Sequence, residues 1–305
     1  MQNQTLAEIE ALIPEKAGRL EKILNRMAAR GTLFSAQKPG KPRVWRLMPS
    51  VVGWAETPFW GGRDTEEVRQ LAPLWLKYRE EAFGAELARN MPVMRVVPIG
   101  RSLKDESRIL PYDVLKDAVA KQSYCAVAHC PCRQMKTYVG EGCGHSLENC
   151  LHFGSMGQYM VEYGLARKIT NDEAVRILYD ANQEGLVHST ENLDGHMTTI
   201  CNCCGCSCVF LETKKKFGHQ TISSSNYLAV VDAETCAACG TCEERCPMDA
   251  VAVGDAGYAE VDVAKCIGCG VCTPTCPTEA IKLETRAEVA PPPDLNQFFT
   301  RRFKA

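Results

Sequence analysis

Two runs toward the C-terminal end, CAACGTCEERCP at 236–247 and CIGCGVCTPTCP at 266–277, repeat one pattern, C-x2-C-x2-C-x3-C-P, with first cysteines 30 residues apart. Such a pattern constrains the fold before any hydrophobic periodicity is considered. Short x2 intervals let three thiolates wrap one face of a compact soft-metal centre. Gly240, Gly268 and Gly270 let backbone N–H groups approach the sulfurs, and Pro247 and Pro277 turn the chain away. Zinc also takes four cysteines, but a zinc ribbon pairs two C-x2-C knuckles and has no need of four-fold runs ending in Cys-Pro.

The runs resemble the bacterial two-cluster ferredoxin, in which the fourth cysteine of each run serves the other [4Fe-4S] cluster. Carried over, cluster one falls on Cys236, Cys239, Cys242 and Cys276, and cluster two on Cys266, Cys269, Cys272 and Cys246. The following segments, MDAVAV and TEAIKL, read as the repeated helix-to-strand units of a pseudo-twofold domain. Clusters of this kind change charge by one electron with little rearrangement, so two close together form a wire.

Ten more cysteines precede these runs, none of them before Cys125. At 201–208 the chain reads CNCCGCSC, five cysteines in eight residues. Adjacent Cys203 and Cys204 rarely satisfy disulfide geometry, so thiolates for a soft metal explain the run better. In an extended segment these two side chains point to opposite sides, so they serve different centres or only one is a ligand. The CPCR turn at 130–133 and GCGHSLENCLHFG at 142–154 present Cys130, Cys132, Cys143 and Cys150 from loops, with Arg133 to offset thiolate charge. Together with Cys201, Cys203, Cys204, Cys206 and Cys208 they are the candidate ligands of one or two further iron-sulfur clusters. A zinc site on Cys130, Cys132, Cys143 and Cys150, joined by His145 or His152, is the competing assignment. His129, His188, His196 and His219 read as surface or packing residues.

With 305 residues and 45% apolar content the chain can build two or three domains with real cores, so its eighteen cysteines are not needed as staples. No stretch approaches the roughly 18 continuous apolar residues of a membrane span. The start, MQNQTLAEIEALIPEK, lacks a basic leader ahead of an apolar run. The expectation is a cytoplasmic protein in a reducing cell, with no direct membrane insertion. Formal charge is −2, yet residues 1–49 carry nine Lys/Arg against four Asp/Glu, and residues 229–283 carry three against nine. The acidic end suits charge steering of a redox partner as well as plain solvation.

KAGRLEKILNRMAAR at 16–30 sets Leu20, Ile23, Leu24 and Met27 on one helical face, with Gly31 as its stop. TLFSAQ, KPGKP and RVWRL follow as a hairpin. Preceded by a short helix over 4–13, this order resembles the front of a winged helix. DNA contact would fall to Arg19, Lys22, Arg26, Arg30, Lys38, Lys41, Arg43 and Arg46, but Glu15 and Glu21 interrupt the charge, which favours a docking or structural role. Residues 64–89 read as a helix bent at Pro73, 92–99 as a strand, 111–122 as a helix and SYCAVAHC as a strand. Thr170 and Glu173 suggest a capping box before EAVRILYDANQ. The fold class is α+β: a winged-helix-like region over 1–62, a mixed α/β cysteine-rich middle domain over 63–225, a two-cluster ferredoxin domain over 226–284 and an extended tail over 285–305.

CPCR, GCGHSLENCLHFG, GLVHSTEN and ICNCC, followed by the tandem runs, make the chain resemble multi-cluster 4Fe-4S ferredoxin-like oxidoreductase subunits of anaerobes over most of 10–283. The resemblance implies iron-sulfur electron transfer in anaerobic metabolism. Ser207 interrupts what would otherwise be a fuller cysteine run. Three functions follow. The first is a non-catalytic relay to or from a redox protein partner, either a flavoprotein or a catalytic oxidoreductase subunit. The second is a reductase whose middle centre acts on substrate directly. The third is a winged-helix redox-sensing regulator. No G-x-G-x-x-G follows a strand and no G-x4-G-K-[ST] occurs, which argues against a bound nucleotide. A sensor gains nothing obvious from a tandem wire, so the relay leads.

Overall fold

Thr5 opens the first helix, Leu6–Leu12, with a reciprocal capping box: its backbone N–H donates to Glu8 Oε2 at 2.7 Å and Glu8 N–H donates to Thr5 Oγ1 at 3.3 Å. The computed structural model describes residues 3–89, 91–99, 111–195, 197–288, 291–294, 297 and 300. His196 and most of residues 296–305 of the tail lie outside the described residues. The helix Leu20–Ala29 buries Leu20, Leu24 and Ala28 and leaves Met27 exposed, so its inner face is rotated from the expected one. Close approach explains the rotation: Tyr159 donates its hydroxyl to Ala28 O at 2.7 Å, and only a small side chain fits beneath that contact. The hairpin Leu33–Ala36 with Val44–Leu47 is antiparallel, and Gln4–Thr5 adds a third strand. Leu24, Phe34 and Trp45 share one core with Cys150, Tyr159 and Met160, which ties this head to the middle of the chain.

The helix expected to bend at Pro73 runs through it as Glu66–Tyr78, and the irregular turn comes later, at Arg79–Phe83. Pro73 still removes one N–H, but the helix continues past it. Thr170 caps Asn171–Gln183 by accepting from Glu173 N–H, yet the box is not reciprocal, because the Glu173 carboxylate pairs with Arg167 at 2.8 Å.

The centre is a seven-stranded sheet in the order Ile222–Ser223, Met94–Val97, Val187–Glu191, Thr199–Cys203, Glu148–Phe153, Cys125–His129, Arg167–Ile169. Every pairing is antiparallel except that of Ile222–Ser223 with Met94–Val97. Pleat and register divide the side chains between two faces. Ile200 and Leu151 pack with Leu115, Val119 and Leu178 on one side, while Cys203 packs with Val187, Val209 and Phe210 on the other.

Residues 227–285 build on two antiparallel pairs, Tyr227–Val231 with Ile281–Thr285 and Val251–Val253 with Ala259–Val261. Their repeat is visible in the backbone. Ala238 and Gly268, Gly240 and Gly270, and Asp249 and Glu279 hold matching places in the two runs, and all six have positive φ, between 50° and 77°. Side chains tolerate that region only where surroundings enforce it. The expected helix-to-strand segments are turn-to-strand instead: after Asp249 and Glu279 the chain goes straight into Val251–Val253 and Ile281–Thr285. Among the described residues of this unit, the helix is Thr241–Arg245, inside the first run.

Candidate metal centres

Cys236, Cys239, Cys242 and Cys276 line one cavity, walled by Val231, Ala259, Ala280 and Ile281. Cys276 therefore meets three cysteines of the other run. Cys246 lies among Cys266, Cys269 and Cys272, close enough that their charges act on one another. The donor chemistry fits [4Fe-4S] clusters. Ala259 N–H donates to Cys236 Sγ at 3.4 Å and Ala250 N–H to Cys246 Sγ at 3.3 Å. Burial works against a Cys276 thiolate, but the N–H groups of Ile281, Thr278 and Ala280 and the Thr278 hydroxyl together draw it below the usual thiol range. The Thr241 hydroxyl and N–H do the same for exposed Cys239. In the second set, burial pushes Cys269 up to about 12 and Cys272 well above its ordinary value, so cations are needed to ionise it. That set sits against the central sheet: Ile99 N–H donates to Cys269 O at 2.8 Å and Ser225 Oγ to Gly268 O at 2.6 Å.

Six other cysteines enclose a second cavity: Cys130, Cys132, Cys150, Cys201, Cys203 and Cys208. Neighbouring thiols run Cys130, Cys132, Cys208, Cys203, Cys201, Cys150 in a ring, and Cys150 closes it electrostatically onto Cys130. The partial accessibility of Cys130, Cys132 and Cys201 is to this chamber itself. Three local features place the sulfurs. Strand alternation turns Cys201 and Cys203 to the same face, with Cys150 beside them on the neighbouring strand. Cys130 caps the helix Pro131–Tyr138, where Pro131 suits the first turn and Cys132 follows. Cys208 caps the helix Val209–Phe217. Two helix N-termini thus meet the chamber, and their partial positive charge favours thiolate there.

S–H bonds from Cys130 and Cys208 hold Cys132 well below the ordinary thiol value, aided by the charge of Arg79. Cys130 and Cys208 rise by donating to it, and Cys201 and Cys203 rise through their own thiol neighbours. A wall of this kind cannot ionise together without metal. No three of the six bring their sulfurs within 4.8 Å of one another, so one ion cannot bind them, whereas a polynuclear cage can. Val52, Glu56 and Trp60 line the same chamber. Burial pushes the Glu56 carboxyl up to about 8, against the Gly53 N–H it accepts at 2.7 Å and with the charge of Cys132. The buried Trp60 Nε1 finds no partner among the described residues.

Cys143, Cys204 and Cys206 gather separately, each sulfur within 4.8 Å of the others. The zinc assignment on Cys130, Cys132, Cys143 and Cys150 is thereby corrected: Cys143 does not line the chamber that holds the other three, and its sulfur gathers with Cys204 and Cys206. His152 is a packing residue: its Nε2 lies 3.2 Å from Cys150 Sγ and its Nδ1 3.2 Å from Thr199 Oγ1, and burial lowers it to about 4. His145 lines an open cleft with Cys204, Cys206, Glu184, Arg245 and Cys246. Arg133, 1% exposed, lies between the two thiol groups. It donates to Ser146 O at 3.0 Å, Asn202 O at 2.9 Å and Asn149 Oδ1, and its Nη1 is 3.9 Å from Cys204 Sγ. Burial opposes its charge, but Cys130, Cys204 and Cys203 outweigh burial and raise its pKa. Cys125 is a core residue beside Val127 and Phe153.

Glu56, Trp60, Asn149 and Arg79 belong to no motif and were not legible as site residues before the fold was known. Arg79 is buried, donates to Ser207 O at 2.8 Å and Glu212 Oε2 at 3.0 Å, and has a second nitrogen without a partner among the described protein atoms.

Residues 229–283 match the family model of the 4Fe-4S dicluster domain. No curated protein and no solved structure matches the chain. The C-terminal unit is thus iron-sulfur and ferredoxin-like, which supports a role in electron transfer. Among the described residues, no helix is long and apolar enough to cross a membrane.

Proposed function

We propose that the chain is an iron-sulfur electron-transfer protein or oxidoreductase subunit, relaying single low-potential electrons between a redox protein partner and a further iron-sulfur centre held by the six-thiol chamber. A bound cluster supplies one-electron oxidation and reduction without group transfer. One observation carries the reading: Cys203 and Cys208 of the chamber belong to the same apolar cluster as Cys246, Cys266 and Cys269 of the second quartet. A continuous dry medium therefore joins the two sites. The first quartet, with exposed Cys239 among Glu234, Glu243 and Glu244, is the outward end and suits a basic face on a flavoprotein or catalytic subunit.

The head keeps the helix-then-hairpin order of a winged helix, but Arg43 pairs with Glu162 at 2.8 Å and Arg46 stacks 4.6 Å over Phe34. We assign it a structural or docking role in place of DNA contact. Glu56 and Trp60 favour a second reading, in which the chamber's centre reduces a small substrate and these groups bind it or hold a proton.

Anaerobic purification followed by iron and sulfide counting and reductive titration under electron paramagnetic resonance tests both. The expectation is about twelve or more iron atoms per chain, eight from the quartets and the remainder from the chamber. About eight would confine the function to the C-terminal unit, and colourless zinc-loaded protein would end the reading. Reoxidation of the reduced isolated chain by a small acceptor, lost in Glu56→Gln with iron retained, would favour the reductase.

A further inference from the structure

The trio Cys143, Cys204 and Cys206 differs in kind from the other thiol groups. Around a cubane each thiolate serves its own iron, so the sulfurs stand apart. Around a single tetrahedral ion with metal–sulfur bonds of about 2.3 Å, the sulfurs stand at the tetrahedral edge, about 1.63 times the bond, or about 3.8 Å. Cys143 Sγ and Cys204 Sγ are 3.8 Å apart, and Cys206 Sγ completes the group. The fourth corner is filled by Ser207: its Oγ lies 3.9 Å from Cys143 Sγ and 3.6 Å from Cys206 Sγ, and it also hydrogen-bonds Cys204. Ser207 is fully buried, so this hydroxyl is fixed in place.

From this geometry we propose that Cys143, Cys204, Cys206 and the Ser207 hydroxyl form a mononuclear site for a thiophilic divalent ion of the zinc class, distinct from every iron-sulfur site. Three thiolates on a divalent ion leave one negative charge, and the buried Arg133 guanidinium beside Cys204 neutralises it. A neutral hydroxyl is the weakest of the four donors, which leaves that corner exchangeable. The ion would fasten the loop carrying Cys143 to the turn 204–206. That turn lies against the second quartet, since a Cβ at Gly205 would meet Pro247 O at 2.1 Å. The site goes beyond the relay reading and stands without it.

The test is metal analysis of full-length protein purified anaerobically, with Cys143→Ser and the exposed Cys206→Ser beside it. The expected result is about one zinc per chain in the wild type, lost in both variants while iron and sulfide are unchanged. Cobalt added to chelator-stripped wild type should show tetrahedral d–d bands and sulfur-to-cobalt charge transfer of three-thiolate intensity. Loss of about four iron atoms from the variants would overturn the inference in favour of a cubane, and iron-replete wild type that takes up neither zinc nor cobalt would overturn it outright. Wild type lacking iron but holding this zinc would sink the relay reading alone. If Cys143→Ser does not fold, the cobalt spectrum of the wild type still decides.

Discussion

Gly240 and Gly270 occupy matching places in the two runs and have almost the same backbone angle, φ of 77° and 75°, yet their surroundings are opposite. A Cβ at Gly240 meets nothing within 4 Å, whereas at Gly270 it would lie 1.4 Å from Ile99 O and 2.8 Å from Leu283 Cδ1. Alanine at either position pays the left-handed backbone penalty of roughly 1–2 kcal/mol. At Gly270 the main chain must also retreat from Ile99, breaking the 2.8 Å bond from Ile99 N–H to Cys269 O, about 1 kcal/mol, with overpacking of about 1 kcal/mol or more besides. Gly270→Ala should therefore cost about 2 kcal/mol more than Gly240→Ala. Anaerobic urea titrations followed by tryptophan fluorescence and visible iron-sulfur absorbance measure the difference, and the second cluster should be lost first in Gly270→Ala. Equal destabilisation by the two substitutions would refute the idea that this loop is the seat on which the C-terminal unit meets the central sheet.

Three other outcomes follow from the same contacts. Cys276→Ala should remove the cluster of Cys236, Cys239 and Cys242, and Cys246→Ala the other, as read from which paramagnetic signal disappears; loss confined to the variant's own run would deny the crossing. Arg133→Met should cost about 3 kcal/mol or more in thermal melts of the metal-free protein, because it strips the buried acceptors Asn149 Oδ1 and Asn202 O of their donor, and Arg133→Lys should restore little since it lacks the fork. His188 donates from Nδ1 to Asn202 Oδ1 at 2.6 Å and burial lowers its pKa to about 4, so its contribution is complete above pH 6.5 and is lost as pH falls toward 4, by about 1.4 kcal/mol per unit. His188→Gln should flatten that part of the stability profile, and an unchanged slope would show that His188 is not its source.

The tandem quartets were legible because their geometry is local, with three of four ligands within seven residues, and the crossing came from the resemblance to the two-cluster ferredoxin. That Cys203 and Cys204 serve different groups was also legible from their adjacency, although the strand ends at Cys203 and the turn, not the pleat, carries Cys204 away. The grouping of thiols was not. Cys130, Cys150 and Cys201 meet only because strands far apart in sequence pair in one sheet, and no spacing rule encodes that register. Cys143 joins Cys204 and Cys206 through a tertiary contact between segments 61 residues apart, which no spacing rule encodes either. The helix face erred by one position, Met27 for Ala28, since hydrophobicity ranks methionine higher while close packing against Tyr159 selects for size. Glu56 and Trp60 carry no motif at all; they become chamber residues through the packing of the head on the sheet.

Ser207 shows how the division of CNCCGCSC between two sites is poised. The turn sends Cys201, Cys203 and Cys208 to the chamber and Cys204 and Cys206 to the cleft, which spreads charge that would repel strongly at one centre. A cysteine at 207 would add a fourth thiolate to the cleft trio and leave the complex with a double negative charge against a single Arg133. Thiolate binding to a soft ion is stronger than hydroxyl binding, so the metal should be held more tightly in Ser207→Cys, while the closed coordination shell becomes slower to exchange. Competition with a chelator measures the affinity, and cobalt charge transfer should rise by about a third, from three thiolates to four. If Ser207→Cys leaves the cobalt spectrum and the rate of metal loss as they are in the wild type, the hydroxyl is not at the fourth corner and the tetrahedral assignment is wrong.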